Sequence, residues 1–144
     1  MLKNLNPLLS PDLLYILRAM GHGDELAIVD ANFPAESAGP LVVRLDAVSA
    51  TVALEAVLSV MPLDTFVDLA CFVMEPVGAA DREEPIFGEF RDVIARAEGP
   101  DFALGKIERF AFYARANKAF AVLATGERRL YGNIIVKKGV IAPP

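Results

Sequence analysis

The residue types that could do chemistry in this 144-residue chain begin with its only histidine, His22, which lies between two glycines. Because glycine on both sides gives a helix or strand little support, we expect His22 to lie on a tight loop. An imidazole titrates near neutral pH, so it can both accept and donate a proton under physiological conditions. A lone histidine can equally be a structural residue, and both interpretations stay open at this point.

A carboxylate, Asp30, follows the uninterrupted apolar residues 26–29. A short apolar run of this kind is typical of a strand that is buried on both faces. In α/β folds, ligands bind at the carboxyl ends of such strands. Residues 31–34, Ala-Asn-Phe-Pro, then turn the chain. Asp30 is therefore a candidate ligand-binding residue.

The elements that must position these side chains alternate along the sequence. The first predicted helix runs from Pro11 to Met20; Ser10 caps it, and Gly21 ends it as a left-handed residue. The second runs from a cap at Ser49 or Thr51 to Met61. Two further helices are predicted, from Pro85 to Ala97 and over residues 107–116. The predicted strands cover residues 26–29, 41–45, 66–74, 120–124 and 133–136. This order predicts one α/β domain over residues 1–144, a three-layer α/β/α sandwich with a largely parallel or mixed central sheet.

Composition excludes several classes of partner. The net charge of −5 argues against nucleic acid or an anionic membrane surface as a partner. No apolar run reaches the ~20 residues that span a bilayer, and no signal peptide is evident, so we expect a cytoplasmic protein. The apolar fraction of 54% is high for one small core. We therefore expect a homo-oligomer that buries apolar surface between subunits.

Familiar metal, thiol and nucleotide motifs are missing. The lone cysteine, Cys71, lies in an apolar run and is expected in the core rather than as a reactive thiol. One histidine and one cysteine do not make the common zinc patterns, so we expect no metal. The chain has no GxxxxGK[ST], GxGxxG or GxSxG motif, which removes the support for a phosphate-binding loop or a serine hydrolase. Lys137 and Lys138 are interpreted as a solvated strand edge.

The remaining candidates are Arg109 and the segment Tyr131-Gly132-Asn133. Together with His22 and Asp30 they offer hydrogen-bonding groups and aromatic surface, which suit a small polyhydroxylated ligand better than a charged one. Each also has a structural interpretation, Arg109 as an ion-pair partner of Glu108 and Tyr131 as an ordinary strand aromatic. By themselves these residues predict a polar small-molecule site.

Four separated motifs, in the same order, resemble those of the ribose pyranase and fucose mutarotase family: Gly21-His22-Gly23-Asp24, Asp30-Ala31-Asn32-Phe33-Pro34, Arg109-Phe110-Ala111-Phe112-Tyr113, and Tyr131-Gly132-Asn133-Ile134-Ile135 with Lys137-Lys138-Gly139-Val140. The resemblance extends over nearly the whole chain. It favours the fucose branch, since the ribose branch typically has a histidine near Arg109 and an alanine at Gly132. Fucose mutarotases often carry additional histidines near Asn32 and Glu36, and this chain has none there.

The resemblance implies an isomerase that interconverts the α and β anomers of a free neutral sugar, L-fucose first and D-ribose or a related sugar as the alternative, without cofactor or metal. It implies that His22 is the catalytic acid/base and that Asp30, Arg109, Tyr131, Gly132 and Asn133 bind the sugar. We add Tyr131 as the second acid/base. The family's ring-shaped decamers further imply sites near subunit interfaces.

Sequence separation limits how these residues can meet. Eight residues join His22 to Asp30, and they can extend over as much as ~26 Å. The two side chains share a site in one subunit only if the glycine loop folds back along the strand. Otherwise the pair is completed across a subunit boundary.

Two rival hypotheses do without turnover. A sugar-binding accessory protein of a transport or utilisation system would bind sugar without catalysis, and His22→Gln would leave its affinity largely intact. A structural oligomer with a vestigial site would show no saturable sugar binding.

Overall fold

The computed structural model describes residues 2–144, over which the chain forms four helices and six strands. The helices are α1 (Pro11–Ala19), α2 (Ala50–Leu58), α3 (Pro85–Glu98) and α4 (Arg109–Ala116). The strands are β1 (Glu25–Val29), β2 (Leu41–Leu45), β3 (Cys71–Met74), β4 (Leu104–Ile107), β5 (Ala121–Thr125) and β6 (Ile134–Lys137). None of the helices in this part of the chain is long and apolar enough to cross a membrane.

The first two helices begin at serine caps. The Ser10 side chain accepts the backbone N–H of Leu13 at 3.2 Å, and Ser49 accepts that of Val52 at 3.4 Å. Of the two predicted caps for α2, Ser49 is therefore the one used.

The prediction that Gly21 adopts a left-handed conformation is wrong. Helix α1 ends at Met20, whose backbone is extended with ψ 137°, and the Asp24 carboxylate accepts the Gly21 N–H at 2.7 Å. The positive φ in this loop, 85°, lies at Gly23 instead. The turn is thus closed by an aspartate side chain rather than by a glycine cap.

The six strands form one mixed sheet in the order β2-β5-β1-β6-β3-β4. Strand β6 is antiparallel to both of its neighbours, β1 and β3, whereas the other pairings are parallel. Five strands therefore run in one direction and β6 runs in the other. This confirms the predicted largely parallel or mixed sheet.

Helices cover both faces of the sheet, which confirms the three-layer sandwich. On one face the apolar side chains of α1, α2 and α3 pack against the sheet, with Phe87 and Phe90 fully buried. On the other face α4 packs its buried Phe112 against β1, β3, β5 and β6. Burial of apolar side chains on both faces explains why the central strands have uninterrupted apolar sequences.

The sequence-based limits of three elements need correction. Helix α2 ends at Leu58 rather than at Met61. The predicted strand over residues 66–74 is a strand only over Cys71–Met74, because residues 65–68 are bends and the Phe66 side chain is 74% exposed. The predicted helix over residues 107–116 starts two residues later, at Arg109. The residues before it form β4, an edge strand that sequence analysis missed because glycine and lysine interrupt its apolar pattern.

Cys71 lies in the core, as predicted. Its side chain is fully buried in β3, and burial raises the pKa of the thiol to about 12. A thiol with so high a pKa is a poor nucleophile at neutral pH.

Backbone packing makes a glycine necessary after β5. A Cβ on Gly126 would lie 2.0 Å from the Asp46 carbonyl oxygen, whereas a Cβ on Gly88, inside α3, would meet nothing within 4 Å. We predict that Gly126→Ala lowers the free energy of unfolding by about 1–3 kcal/mol, since the backbone must shift. The matched Gly88→Ala change should raise it by about 1 kcal/mol through helix propensity. Urea unfolding of both variants checks this, and equal stability of the two would contradict the packing.

Candidate functional site

Strand direction separates the candidate residues into two groups. Asp30 follows β1, Arg109 follows β4, and residues 131–133 precede the antiparallel β6, so all of them lie where the five parallel strands end. We call this the carboxyl edge of the sheet. His22 precedes β1 and lies at the opposite, amino edge. The five residues of β1 between the edges span about 15 Å at the rise of an extended strand. Within one chain, His22 therefore does not meet the other candidates.

At the carboxyl edge, Asp30 and Asn133 form a closed pair of hydrogen bonds. The Asp30 backbone N–H donates to Asn133 Oδ1 at 2.9 Å, and Asn133 Nδ2 donates to Asp30 Oδ2 at 2.7 Å. Both side chains are buried, and Asp30 Oδ1 also accepts the Asn32 N–H at 2.9 Å. These bonds hold the carboxylate in one orientation beside a cavity of about 240 Å³.

Burial opposes ionisation of Asp30. Desolvation raises the pKa of the carboxyl above its ordinary value, and the hydrogen bonds from Asn32 and Asn133 partly offset that effect. The group is therefore a strongly oriented acceptor with little competition from water. Such an acceptor suits a hydroxyl group of a polar ligand.

Tyr131 is held in an unusual backbone conformation. Its φ of 60° is rare for an aromatic residue, and such conformations cluster at functional sites. The Tyr131 hydroxyl accepts the backbone N–H of Val77 at 3.1 Å, which ties the start of β6 to the loop after β3. The next residue must be small, because a Cβ on Gly132 would lie 2.6 Å from Glu127 Cγ. The backbone of this segment is therefore tightly constrained.

An ion-pair network between Glu127, Arg129 and Glu89 stabilises the chain that leads into Tyr131. The buried Glu127 carboxylate accepts two bonds from the Arg129 guanidinium, each at 3.0 Å, and Arg129 also pairs with Glu89 at 2.5 and 3.0 Å. The Glu127 carbonyl accepts the Ala31 N–H at 2.8 Å. The loop that carries Tyr131 is thus bonded to the residue after Asp30.

Arg109 begins α4 and has spare hydrogen-bonding capacity. Its Nε is buried and has no partner among residues 2–144, and its guanidinium lies 4.9 Å from the Phe110 ring centroid. The alternative pairing with Glu108 does not form, because that carboxylate caps α4 by accepting the N–H groups of Phe110 and Ala111. Arg109 and the segment 75–80 line a cavity of about 220 Å³.

At the amino edge, His22 is bonded to a carboxylate that sequence analysis missed. His22 Nε2 lies 3.0 Å from Asp64 Oδ1, and the Phe66 ring packs edge-on against the imidazole at 5.6 Å between centroids. The histidine side chain is 45% exposed, whereas that of Asp64 is 3% exposed. Asp64 is 42 residues away in sequence. It has no periodic or motif signal that could have identified it.

The interpretation of Lys137 and Lys138 as a solvated edge is wrong. Lys138 Nζ donates to the carbonyls of Leu17 and Met20 at 2.7 and 2.5 Å and so caps the end of α1. The backbone carbonyl of Lys138 accepts the Gly23 N–H at 2.8 Å. Lys137 lies 3.4 Å from the Glu25 carboxylate. Lys138 thus anchors the loop that carries His22, and Lys137 pairs with the first residue of β1.

At the amino edge, the imidazole of His22 can transfer protons. At the carboxyl edge, Asp30 and Arg109 can form hydrogen bonds with a polar ligand. Among residues 2–144, no group of three or more His, Cys, Asp or Glu side chains is placed to hold a metal ion.

The family model of the RbsD / FucU transport protein family matches residues 3–141. The chain belongs to this family. Within the RbsD/FucU family, it is 51% identical over 148 residues to a human protein named fucose mutarotase, covering 98% of this chain and 95% of that protein. The zebrafish fucose mutarotase is 47% identical over 148 residues, covering 99% of this chain and 95% of that protein.

Solved structures of RbsD/FucU proteins share the fold. The fucose mutarotase of Streptococcus pneumoniae, in complex with L-fucose, has a TM-score of 0.89 at 40% identity and covers 98% of this chain and 100% of that one. FucU from Bifidobacterium longum has a TM-score of 0.91 at 43% identity and covers 97% and 100%. Bacillus subtilis RbsD, complexed with D-ribose, has a TM-score of 0.74 at 19% identity, covers 99% and 100%, and shows the fold alone.

The Glu127–Arg129 pair predicts an acid-dependent loss of stability. Arg129 lowers the pKa of Glu127 to about 2, from an ordinary value near 4.5. Because the folded-state pKa is the lower one, the pair stabilises the fold fully above pH ~4.5 and loses this contribution as the pH falls towards 2. Glu127→Gln should therefore reduce the free energy of unfolding at pH 7, with the deficit shrinking as the pH approaches 2.

Urea unfolding at several pH values measures this deficit. The matched control is Glu55→Gln, at an exposed glutamate whose contact with Arg96 is 4.0 Å long. A deficit for Glu127→Gln that stays constant with pH would contradict the assigned role of the pair.

Proposed function

We propose that this chain is a fucose mutarotase that interconverts the α and β anomers of L-fucose. The observation that carries the proposal is that the chain is 51% and 50% identical, over nearly its full length, to two proteins named fucose mutarotase. A homologue of the same fold, 40% identical, was crystallised with L-fucose. The hydrogen-bonding side chains at the carboxyl edge, Asp30 beside one cavity and Arg109 beside another, support a hydroxyl-rich ligand.

Mutarotation needs one proton acceptor and one proton donor. The acceptor takes the proton of the anomeric hydroxyl, the bond between C1 and the ring oxygen breaks, and the ring oxygen takes a proton from the donor. The electron pair of the broken bond stays on that oxygen, while C1 becomes the aldehyde carbon. Rotation about the C1–C2 bond and closure on the other face reverse each transfer, so the net proton count does not change.

We propose that His22 is the acid/base group and that Tyr131 is the second. A group that titrates near neutral pH can serve in both directions of a reversible reaction. Asp30, Arg109, Tyr131, Gly132 and Asn133 would bind the sugar. Asp30, oriented by Asn133, accepts from hydroxyls, and the Arg109 guanidinium donates to oxygens.

We propose that each site forms between two copies of the chain, with His22 from one and the carboxyl edge from the other. The separation of the two edges by the length of β1 supports this arrangement. Both edges expose apolar side chains suited to contact, with Phe66 74% exposed beside His22 and Phe110 67% exposed beside Arg109. An interface that joins two different surfaces generates a ring when it closes. A homo-oligomer of this kind, such as a ring doubled into a decamer, would complete every site.

We also propose that the protein acts in the cytoplasm. The one cysteine, Cys71, is a free and buried thiol, which is compatible with a reducing compartment.

Proton exchange NMR of L-fucose at equilibrium tests the function. We expect the protein to accelerate exchange between the anomeric signals, with His22→Ala removing most of the acceleration, since general acid–base catalysis contributes about 10²–10⁴-fold. D-ribose, D-galactose and D-glucose, measured alongside, identify the preferred sugar. Faster exchange with D-ribose than with L-fucose would favour the ribose pyranase alternative.

The same spectra discriminate against the rival without turnover. A sugar-binding accessory protein would give saturation-transfer signals from the bound sugar while exchange stays at the buffer rate, and His22→Gln would leave that binding intact. The matched control is Arg18→Gln, in the exposed last turn of α1. Exchange at the buffer rate with the unmodified protein would contradict the proposed activity.

A further inference from the structure

We propose that Asp64 is a positioning residue that holds His22 through Nε2 and leaves Nδ1 as the nitrogen that exchanges protons with the sugar. The inference deepens the proposed function and rests on it for the identity of the substrate. It specifies which atom of the imidazole reacts, and it makes a buried aspartate outside the predicted site necessary for the rate.

The geometry of the His22–Asp64 contact determines the tautomer. The two atoms, His22 Nε2 and Asp64 Oδ1, are 3.0 Å apart, which is hydrogen-bond distance. An ionised carboxylate only accepts hydrogen bonds, so the hydrogen must be on Nε2. In the neutral imidazole, Nδ1 then carries the free lone pair. Nδ1 has no hydrogen-bond partner among residues 2–144, and the side chain is 45% exposed, so a ligand can reach this nitrogen.

Asp64 is itself held in place by the backbone. Its N–H donates to the Lys137 carbonyl at 3.1 Å, and its Oδ1 also accepts the Phe66 N–H at 3.0 Å. A Cβ on Gly139 would lie 2.9 Å from the Asp64 Cα, so the segment before β3 packs directly on the chain after β6. A carboxylate fixed in this way fixes the plane of the imidazole bonded to it.

The negative charge of Asp64 adds to its positioning role, because it stabilises the protonated imidazole. The Phe66 N–H and, to a lesser extent, His22 hold the pKa of the carboxyl below its ordinary value, so it is ionised at neutral pH. When Nδ1 takes a proton, His22 becomes a cation, and an adjacent buried anion stabilises it. The same anion would thus orient the neutral ring and favour the charged state that forms during proton transfer.

The other charged groups around this loop are engaged elsewhere. The Lys138 ammonium donates to the end of α1, Lys137 pairs with Glu25, and the Asp24 carboxylate accepts the Gly21 N–H. Asp64 is therefore the charged side chain in contact with the imidazole. A change in the protonation of the ring should follow changes at this residue.

The single histidine makes a direct test possible without any substitution. Nitrogen-15 NMR of the uniformly labelled protein reports both ring nitrogens of His22 without overlap from other histidines. At a pH at which the ring is neutral, we expect Nε2 to show the chemical shift of a protonated nitrogen and Nδ1 that of an unprotonated one. Protonation at Nδ1, or the averaged shifts of a free imidazole, would overturn the inference.

Substitution measures the contribution to the rate. Asp64→Ala should lower kcat for L-fucose anomer exchange about 10- to 100-fold, the size expected for loss of a hydrogen bond to a charged group, with a smaller change in KM. It should also move both ring-nitrogen shifts towards the averaged values of an exchanging tautomer mixture. Asp64→Asn keeps Oδ1 for both N–H groups but removes the charge, so we expect a smaller loss of kcat and little change of tautomer.

The matched control is Asp101→Asn, an exposed aspartate before β4 at the same edge of the sheet. It should leave both the rate and the nitrogen shifts unchanged. If Asp64→Ala fails to fold, the tautomer of the unmodified protein and the kinetics of Asp64→Asn still test the inference. Full activity with an unchanged ring in folded Asp64→Ala would refute the inference while the mutarotase assignment stands. Conversely, buffer-rate exchange with the unmodified protein refutes the assignment whichever tautomer is found.

Discussion

The placement of the candidate residues at two edges of the sheet depends on one constraint, the insertion of β6 antiparallel between two parallel strands. Since β6 runs against β1 and β3, the residues that precede it lie at the carboxyl edge and the residues that follow it lie at the amino edge. Its first end carries Tyr131 and Asn133, and its other end carries Lys138, which anchors the His22 loop. One short buried strand thus fixes the recognition groups and the imidazole relative to each other.

At each edge of the sheet, a buried carboxylate forms hydrogen bonds with a candidate site residue. Asp30 is locked by Asn133 at the carboxyl edge, and Asp64 holds His22 at the amino edge. Leaving a buried polar group without its partner costs about 1–3 kcal/mol, so these contacts resist rearrangement. The proposed reaction needs only modest acceleration, within the range of about 10²–10⁴-fold that general acid–base catalysis supplies.

Much of the fold could be predicted from the sequence because local patterns specify it: serine caps for α1 and α2, and continuous apolar runs for β1 and β5. Strand β4 could not, since glycine and lysine interrupt its apolar pattern at the half-buried sheet edge. The sequence already indicated that His22 and Asp30 flank β1. It did not indicate that residues 131–133 lie at the same edge as Asp30, because the antiparallel direction of β6 is a long-range property. Asp64 left no signal, as its partner is 42 residues away.

The central claim is that the site forms between two copies of the chain, and complementation between variants tests it most directly. His22→Ala disables one edge and Arg109→Ala the other, so each variant alone should be nearly inactive. After unfolding and joint refolding at equal amounts, a site between chains combines two intact edges in about a quarter of cases, and we expect that fraction of the L-fucose exchange rate to return. No recovery in a mixture that forms mixed oligomers would contradict the account, because a site within one chain cannot be repaired by another.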